Sequence, residues 1–197
     1  QYHKGMKAFP STATYFYPAG KPLKAGTTKK NPLLGKTLRN IAEQGTDYMY
    51  NGDLATKIAK AVQTANINPG VLNEEDLANY KVIERQAVCG EYRTKQICGM
   101  APPSSGGINV YQILKLLERF NLTDYAIDSP EFANLYTQAS ALAYADREKF
   151  IADSDFTNLP YAALINEGYL ERRGEFIAPD KPWRFARAGE PFSTQVI

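Results

Sequence analysis

Few residues in this chain have the type and spacing to do chemistry, and they are widely scattered. The first group is Pro102-Pro103-Ser104-Ser105-Gly106-Gly107. Paired hydroxyls beside paired glycines raise the question of a serine nucleophile. A serine nucleophile needs a base in reach, and the one histidine in the chain, His3, is remote. The G-x-S-x-G elbow of serine hydrolases is also absent. A phosphate cradle fits no better, because the Lys and Ser/Thr that complete a P-loop do not follow. The preferred reading is a structural corner. The prolines end a strand by fixing φ and withholding N–H donors. The serine hydroxyls can accept from backbone N–H groups as a helix begins, and the glycines permit φ > 0 or close backbone approach.

The second group is acidic. Asp146 lies on the apolar side of a helical pattern, three residues after Ala143 and four before Phe150. A carboxylate there needs partners. We read it as a satisfied structural group, with a catalytic acid as the alternative. Asp153 and Asp155 resemble a metal pair but read better as capping residues in a helix-ending turn. The third group is Cys89 and Cys98. If the intervening residues form a hairpin turning at Arg93-Thr94, counting places the two cysteines opposite each other. A cross-strand disulfide and a pair of free thiols both fit that count. Without a C-x-x-C or further cysteines, a four-ligand structural zinc site is not indicated.

The elements that must position these groups follow from periodicity. Residues 1–30 read as an extended arm with one short strand near Thr14–Tyr17. Asn31-Pro32 starts a helix whose face carries Leu34, Leu38, Ile41 and Ala42, and Gly45 stops it. A second helix follows Asn51 with Leu54, Ile58, Ala61, Val62 and Ala65 on one side. Asn73 opens a short third helix, with acidic residues at its positive end. From Lys81 to Met100 the pattern turns to β, with apolar patches at Val82-Ile83, Ala87-Val88 and Gln96-Ile97-Cys98. After the corner comes a helix over Ile108–Phe120, with Val110, Ile113, Leu114, Leu117 and Phe120 as its stripe. Ser129-Pro130 opens the longest helix, running to about Ala152 with Phe132, Leu135, Tyr136, Ala139 and Leu142 on its buried side. A last helix runs from Leu159-Pro160 to about Arg172, and the tail is extended.

Lys and Arg total 23 against 21 Asp and Glu, so the near-balance marks neither a nucleic-acid surface nor a polybasic membrane patch. No apolar window is long enough for a transmembrane helix. The chain opens on Gln1 rather than Met, and we read it as a piece of a longer polypeptide or as trimmed at that end.

A series of stretches resembles the gamma-glutamyltransferase (gamma-glutamyltranspeptidase) family. They are Gly20-Lys21-Pro22-Leu23-Lys24-Ala25-Gly26, Asn31-Pro32-Leu33-Leu34-Gly35-Lys36-Thr37-Leu38 and Ile41-Ala42-Glu43-Gln44-Gly45. Glu75-Asp76-Leu77-Ala78-Asn79-Tyr80 and Gly90-Glu91-Tyr92-Arg93 continue it. The series closes with the Pro102–Gly107 corner, Ala143-Tyr144-Ala145-Asp146-Arg147 and Asp153-Ser154-Asp155-Phe156. They occur in the family's order and spacing from about residue 15 to 170. Gly35 replaces the usual Ala, and Ser154 the usual Pro.

The resemblance implies an α/β (α+β) chain, part of the αββα sandwich of an N-terminal-nucleophile hydrolase, with this segment mostly helical and carrying few strands. Residues 1–197 would be a single partial domain of the large subunit, ending a little short of the self-cleavage site. Upstream sequence and a small subunit would complete it. The nucleophile would be the threonine that begins the small subunit, with its own α-amine as base. The γ-glutamyl group, usually from glutathione, would pass to water or to an amino acid or peptide. No metal or organic cofactor is implied, and the family resemblance implies a periplasmic or secreted location.

No catalytic residue carries over to this chain. Thr27-Thr28 precedes Lys29 instead of the family's His, and Ser104, Ser105, Gly106 and Gly107 are not the small subunit's catalytic Ser-Ser and Gly-Gly. Substrate-binding residues are unassigned and no metal site is expected. The alternatives are an acylase of the same superfold and a non-catalytic fragment or scaffold homologue.

Overall fold

Asn31 shows how local chemistry starts an element here. Its side-chain oxygen accepts from the Leu34 N–H at 3.0 Å, and Pro32 at the first helical position needs no partner for a missing N–H. The helix that follows, α2, spans Pro32–Gln44 and ends on Gly45 with φ 71°, a backbone region open to glycine at little cost.

The computed structural model describes residues 4–158, 161–180 and 185–192, and the chain divides into two compact units, Gln1–Val82 and Ile83–Ile197. In the first unit, a 3₁₀ turn at Lys4–Ala8 precedes α1 (Pro10–Phe16). This corrects the expected arm with a strand at Thr14–Tyr17. Pro10 is pre-set for the first helical turn, whereas a strand needs a ladder partner, and the described residues pair only one hairpin. After α2 come α3 (Asp47–Tyr50), α4 (Asp53–Gln63) and α5 (Glu74–Ala78). The short α3 was not expected. In α4 the buried positions are Ala55 and Ala59, one turn apart, while Ala61 is exposed. Asn73 opens α5 as expected, and it closes a reciprocal capping box with Asp76, at 3.0 and 2.9 Å, a pairing that was not expected. Leu34 and Leu38, assigned to a packed stripe, are 51% and 57% exposed.

Among the described residues, the second unit is built around one hairpin and three α-helices. Strands β1 (Val88–Tyr92) and β2 (Lys95–Gly99) pair antiparallel, with Cys89 opposite Cys98. Val82 and Ile83 stay outside the ladder, which begins only where Val88 meets Gly99. Helix α6 covers Gly106–Glu118, α7 Pro130–Phe150 and α8 Glu167–Gly174. A 3₁₀ turn at Tyr161–Ile165 leads into α8, and the Leu159-Pro160 start of the expected helix lies outside the described residues. Ser129 Oγ caps α7 by accepting from the Phe132 N–H at 3.1 Å.

Helix α6 serves two apolar clusters, one at each end. Ile108 and Tyr111 pack with Val88, Ala101, Leu164, Tyr169 and Leu170. Leu116 and Leu117 pack with Leu135, Ala139, Leu142 and Ile177. The expected stripe on this helix holds in part: Leu117 is buried, and Ile113 and Phe120 pack against the second cluster. Val110, however, is 52% exposed, and the buried Ile108, Tyr111 and Leu116 were not in the stripe. Neighbours on several sides of α6 mean that a single-stripe reading finds only part of its buried surface. Among the described residues, no helix is long and apolar enough to cross a membrane.

Candidate functional site

The most developed polar arrangement is centred on Asp146, which α7 carries into the interior at 1% exposure. Its Oδ1 accepts from Arg173 Nη2 at 2.9 Å and from the Gly189 N–H at 2.8 Å. Its Oδ2 accepts from the Tyr169 hydroxyl at 2.6 Å and from Arg173 Nε at 3.3 Å. The arginine thus grips both carboxylate oxygens, a geometry suited to a fork of N–H donors. Gln112 on α6 donates to the Leu164 carbonyl at 2.9 Å and reaches toward Asp146 Oδ2 at 3.5 Å. Arg173 also donates to the Leu142 carbonyl at 3.3 Å and to the Arg187 carbonyl. Burial pushes the Tyr169 phenol up, and its hydrogen bond to the Asp146 carboxylate pushes further the same way, so it stays neutral and donating.

Chemically, this arrangement is a joint. Each oxygen of the carboxylate is already taken by donors from α8 or the chain at Gly189. A buried charge so paired ties elements together, and losing one partner would strand the other. Asp146 is the satisfied structural carboxylate that its position implied. Sequence reasoning missed Arg173, Tyr169 and Gly189. The only signal was the demand of Asp146 for partners, which does not say where they come from.

The Ser-Ser-Gly-Gly corner lies at the start of α6. Ser105 occupies the N-cap position without a side-chain cap, which corrects the expected hydroxyl-to-backbone bond. Its Oγ instead accepts from Arg147 Nε at 3.0 Å, one residue along from the Asp146 joint. Ser104 is exposed. Of the glycine properties, close approach is the one used: a Cβ on Gly107 would lie 2.6 Å from the Met100 carbonyl oxygen and 2.7 Å from the Gly99 carbonyl carbon. Neither Gly106 nor Gly107 has a positive φ. The hairpin thus rests directly on the first turn of α6.

The remaining candidates are local. Cys89 and Cys98 form a disulfide. Asp155 is paired with Arg85 at 2.9 Å, and Asp153 Oδ1 accepts from the Asp155 N–H at 3.0 Å, the turn chemistry read from the sequence. The structure does not bring these residues, the corner serines and Asp146 into one cluster. On α7, Gln138 exchanges two hydrogen bonds with Ala178, at 2.9 and 3.0 Å, and so fixes the segment that delivers Ile177 to its cluster. Asn109 is 4% exposed with neither amide atom partnered among the described residues. Nothing in the sequence singled out either residue.

The architecture is α+β, that of part of an N-terminal-nucleophile hydrolase. A model of the gamma-glutamyltranspeptidase family matches residues 1–193, and the chain belongs to that family. It is 42% identical over 169 residues to a glutathione hydrolase proenzyme of Escherichia coli K12, covering 86% of this chain and 28% of that protein. It is 32% identical over 182 residues to the acylase ACY 1 proenzyme of Pseudomonas sp. SE83, covering 91% of this chain and 32% of that one. Among solved structures, Helicobacter pylori gamma-glutamyltranspeptidase superposes with a TM-score of 0.72 at 32% identity, covering 90% of this chain and 50% of that one. The chain thus spans less than a third of the length of these two curated relatives.

Proposed function

We propose that this chain is the part of the large subunit that precedes the self-cleavage site in an enzyme cleaving γ-glutamyl amides. Residues 1–197 form a single partial domain, completed by upstream sequence and by a small subunit beginning with the nucleophilic threonine. That hydroxyl attacks the γ-glutamyl amide carbonyl while the threonine's α-amine takes its proton. Backbone N–H groups of the small subunit's Gly-Gly stabilise the oxyanion. The amine of the donor leaves, and the γ-glutamyl ester passes to water or to an amino acid or peptide. Glutathione is the donor, and no metal or organic cofactor takes part. The chain itself supplies no catalytic group.

The observation that carries this reading is family membership over nearly the whole chain, with higher identity to a glutathione hydrolase proenzyme than to an acylase proenzyme. What the residues of this chain contribute is rigidity. The Asp146 joint and the Gly99–Gly107 approach hold the hairpin, α6, α7 and α8 as one scaffold. The exposed Leu34 and Leu38 of α2 fit a surface that the rest of the protein covers. The Cys89–Cys98 bridge supports an oxidising location, periplasmic or secreted.

The test takes purified native protein, sequences the N-terminus of every chain present and assays the same sample with a γ-glutamyl anilide. A second chain starting with Thr together with anilide cleavage is the expected result. A Thr-initiated chain without cleavage points to the acylase reading. This chain folded alone, without activity, makes it a scaffold.

A further inference from the structure

The Cys89–Cys98 bridge lies on the outer face of the hairpin. Along β1, Val88 is buried, Cys89 exposed, Gly90 half-buried and Glu91 exposed; along β2, Gln96 and Cys98 are exposed, while Ile97 and Gly99 are half-buried. The inward set rests on α6. Gly90 sits so close beneath the Tyr111 ring that a Cβ there would collide with it, and Gly99 meets Gly107. The disulfide thus joins two exposed residues, on the opposite side of the hairpin from the packing. A surface depression beside it is lined by Cys89, Gly90, Glu91, Thr94, Lys95 and Gln96. Cys89 lines it and Cys98 does not. Lys95 and Glu91 give it one positive and one negative group, a match for a small peptide thiol bearing a carboxylate and an ammonium.

We infer that this bridge is an exchange-labile clasp on which a small peptide thiol acts at Cys89. The incoming thiolate sulfur bonds to Cys89 Sγ as the Cys89–Cys98 bond breaks. The bond pair leaves on Cys98 Sγ, which takes up the proton lost when the incoming thiol ionised. One disulfide is consumed and one formed, so no separate oxidant or reductant is needed. Exposed bridges are the labile ones, because exchange depends on access to the attacked sulfur. A two-stranded hairpin is marginal by itself, so opening the clasp loosens β1 and β2 where they rest on the first turn of α6.

The experiment incubates the full-length protein in buffers of graded reduced-to-oxidised glutathione ratio. Exchange is then quenched in acid, free thiols are alkylated and the peptides mapped by mass. The expected product at intermediate ratios is a glutathione adduct on Cys89 with Cys98 alkylated. Amide exchange at residues 88–92 and 95–99 should then rise roughly tenfold or more, while α6 and α7 keep their protection. A bridge that stays intact at every ratio overturns the inference. So does an adduct confined to Cys98, and so does loss of protection throughout the unit, which would make the bridge a global staple.

Discussion

Asp146 and Arg173, 27 residues apart in sequence, meet through two hydrogen bonds of 2.9 and 3.3 Å in the interior of the second unit. The same guanidinium reaches the carbonyls of Leu142 and Arg187, so one ion pair joins α7, α8 and the chain near Gly189. Asp146→Ala leaves a buried cation without its counter-ion and should cost about 3–5 kcal/mol. Replacing both partners, Asp146→Leu with Arg173→Met, should cost less than Asp146→Ala or Arg173→Ala alone. Urea unfolding of the three variants checks this, and a double variant as unstable as the sum would contradict it.

The Tyr169 hydroxyl, 2.6 Å from Asp146 Oδ2, makes a charge-assisted bond, so Tyr169→Phe should destabilise by about 1.5–3 kcal/mol. Because burial and the carboxylate raise the phenol's pKa on folding, its contribution is complete below the unfolded value of about 10. It is lost as the pH climbs beyond that and through the folded value. Unfolding midpoints above pH 10 should therefore fall less steeply in Tyr169→Phe than in the wild type. A residual slope is expected from Tyr111, whose phenol is also raised by burial.

Local chemistry in this chain was legible and its tertiary consequences were not. Asn31 with Pro32, and Asn73 with the acidic run that follows it, announce their helices because the residues that start each one are neighbours in sequence. The facing of Cys89 and Cys98 follows from counting, although a disulfide and free thiols fit the count equally. Arg173 could not be matched to Asp146, because the helix that carries it is polar along most of its length and periodicity does not say which elements meet. The stripe on α6 was incomplete for a related reason. A helix packed against a hairpin and two other helices buries Asn109 and Gln112 as readily as Ile108, so no single apolar face marks its inside.

The glycine pair of the corner should separate cleanly under substitution. A Cβ at Gly106 would meet nothing nearer than Ser104 Oγ at 3.8 Å, and alanine is the better helix former by about 1 kcal/mol. Gly106→Ala should therefore leave the melting temperature unchanged or raise it. At Gly107 the Cβ would press on backbone atoms of Met100 and Gly99 at 2.6 and 2.7 Å. Backbone cannot yield as a side-chain tip can, so Gly107→Ala should cost about 1–3 kcal/mol by overpacking. Equal melting temperatures for the two variants would show that the hairpin does not rest on α6 as described.

At the other end of the hairpin, Glu118 accepts from the Arg93 N–H and from Lys115 Nζ, so the last turn of α6 holds the β-turn. Burial raises the Glu118 pKa, but these two donors outweigh it and the net direction is down. The Lys115 ammonium is held above its usual range, first by its hydrogen bond to Glu118. A carboxylate lowered on folding contributes above its unfolded value of 4.5, and the contribution is lost as the pH falls through the folded value. Acid titration of stability should therefore show a loss beginning below about pH 4.5 that is reduced in Glu118→Gln. At neutral pH that variant should cost about 1 kcal/mol, since the amide still offers an oxygen to the Arg93 N–H. Arg93 itself has φ 54°, at the first central position of a two-residue turn that favours glycine. Arg93→Gly keeps the N–H that Glu118 accepts and removes a left-handed cost of about 1–2 kcal/mol. It should stabilise the hairpin, while adding Glu118→Ala should take most of that gain away, as read by amide exchange at residues 88–92.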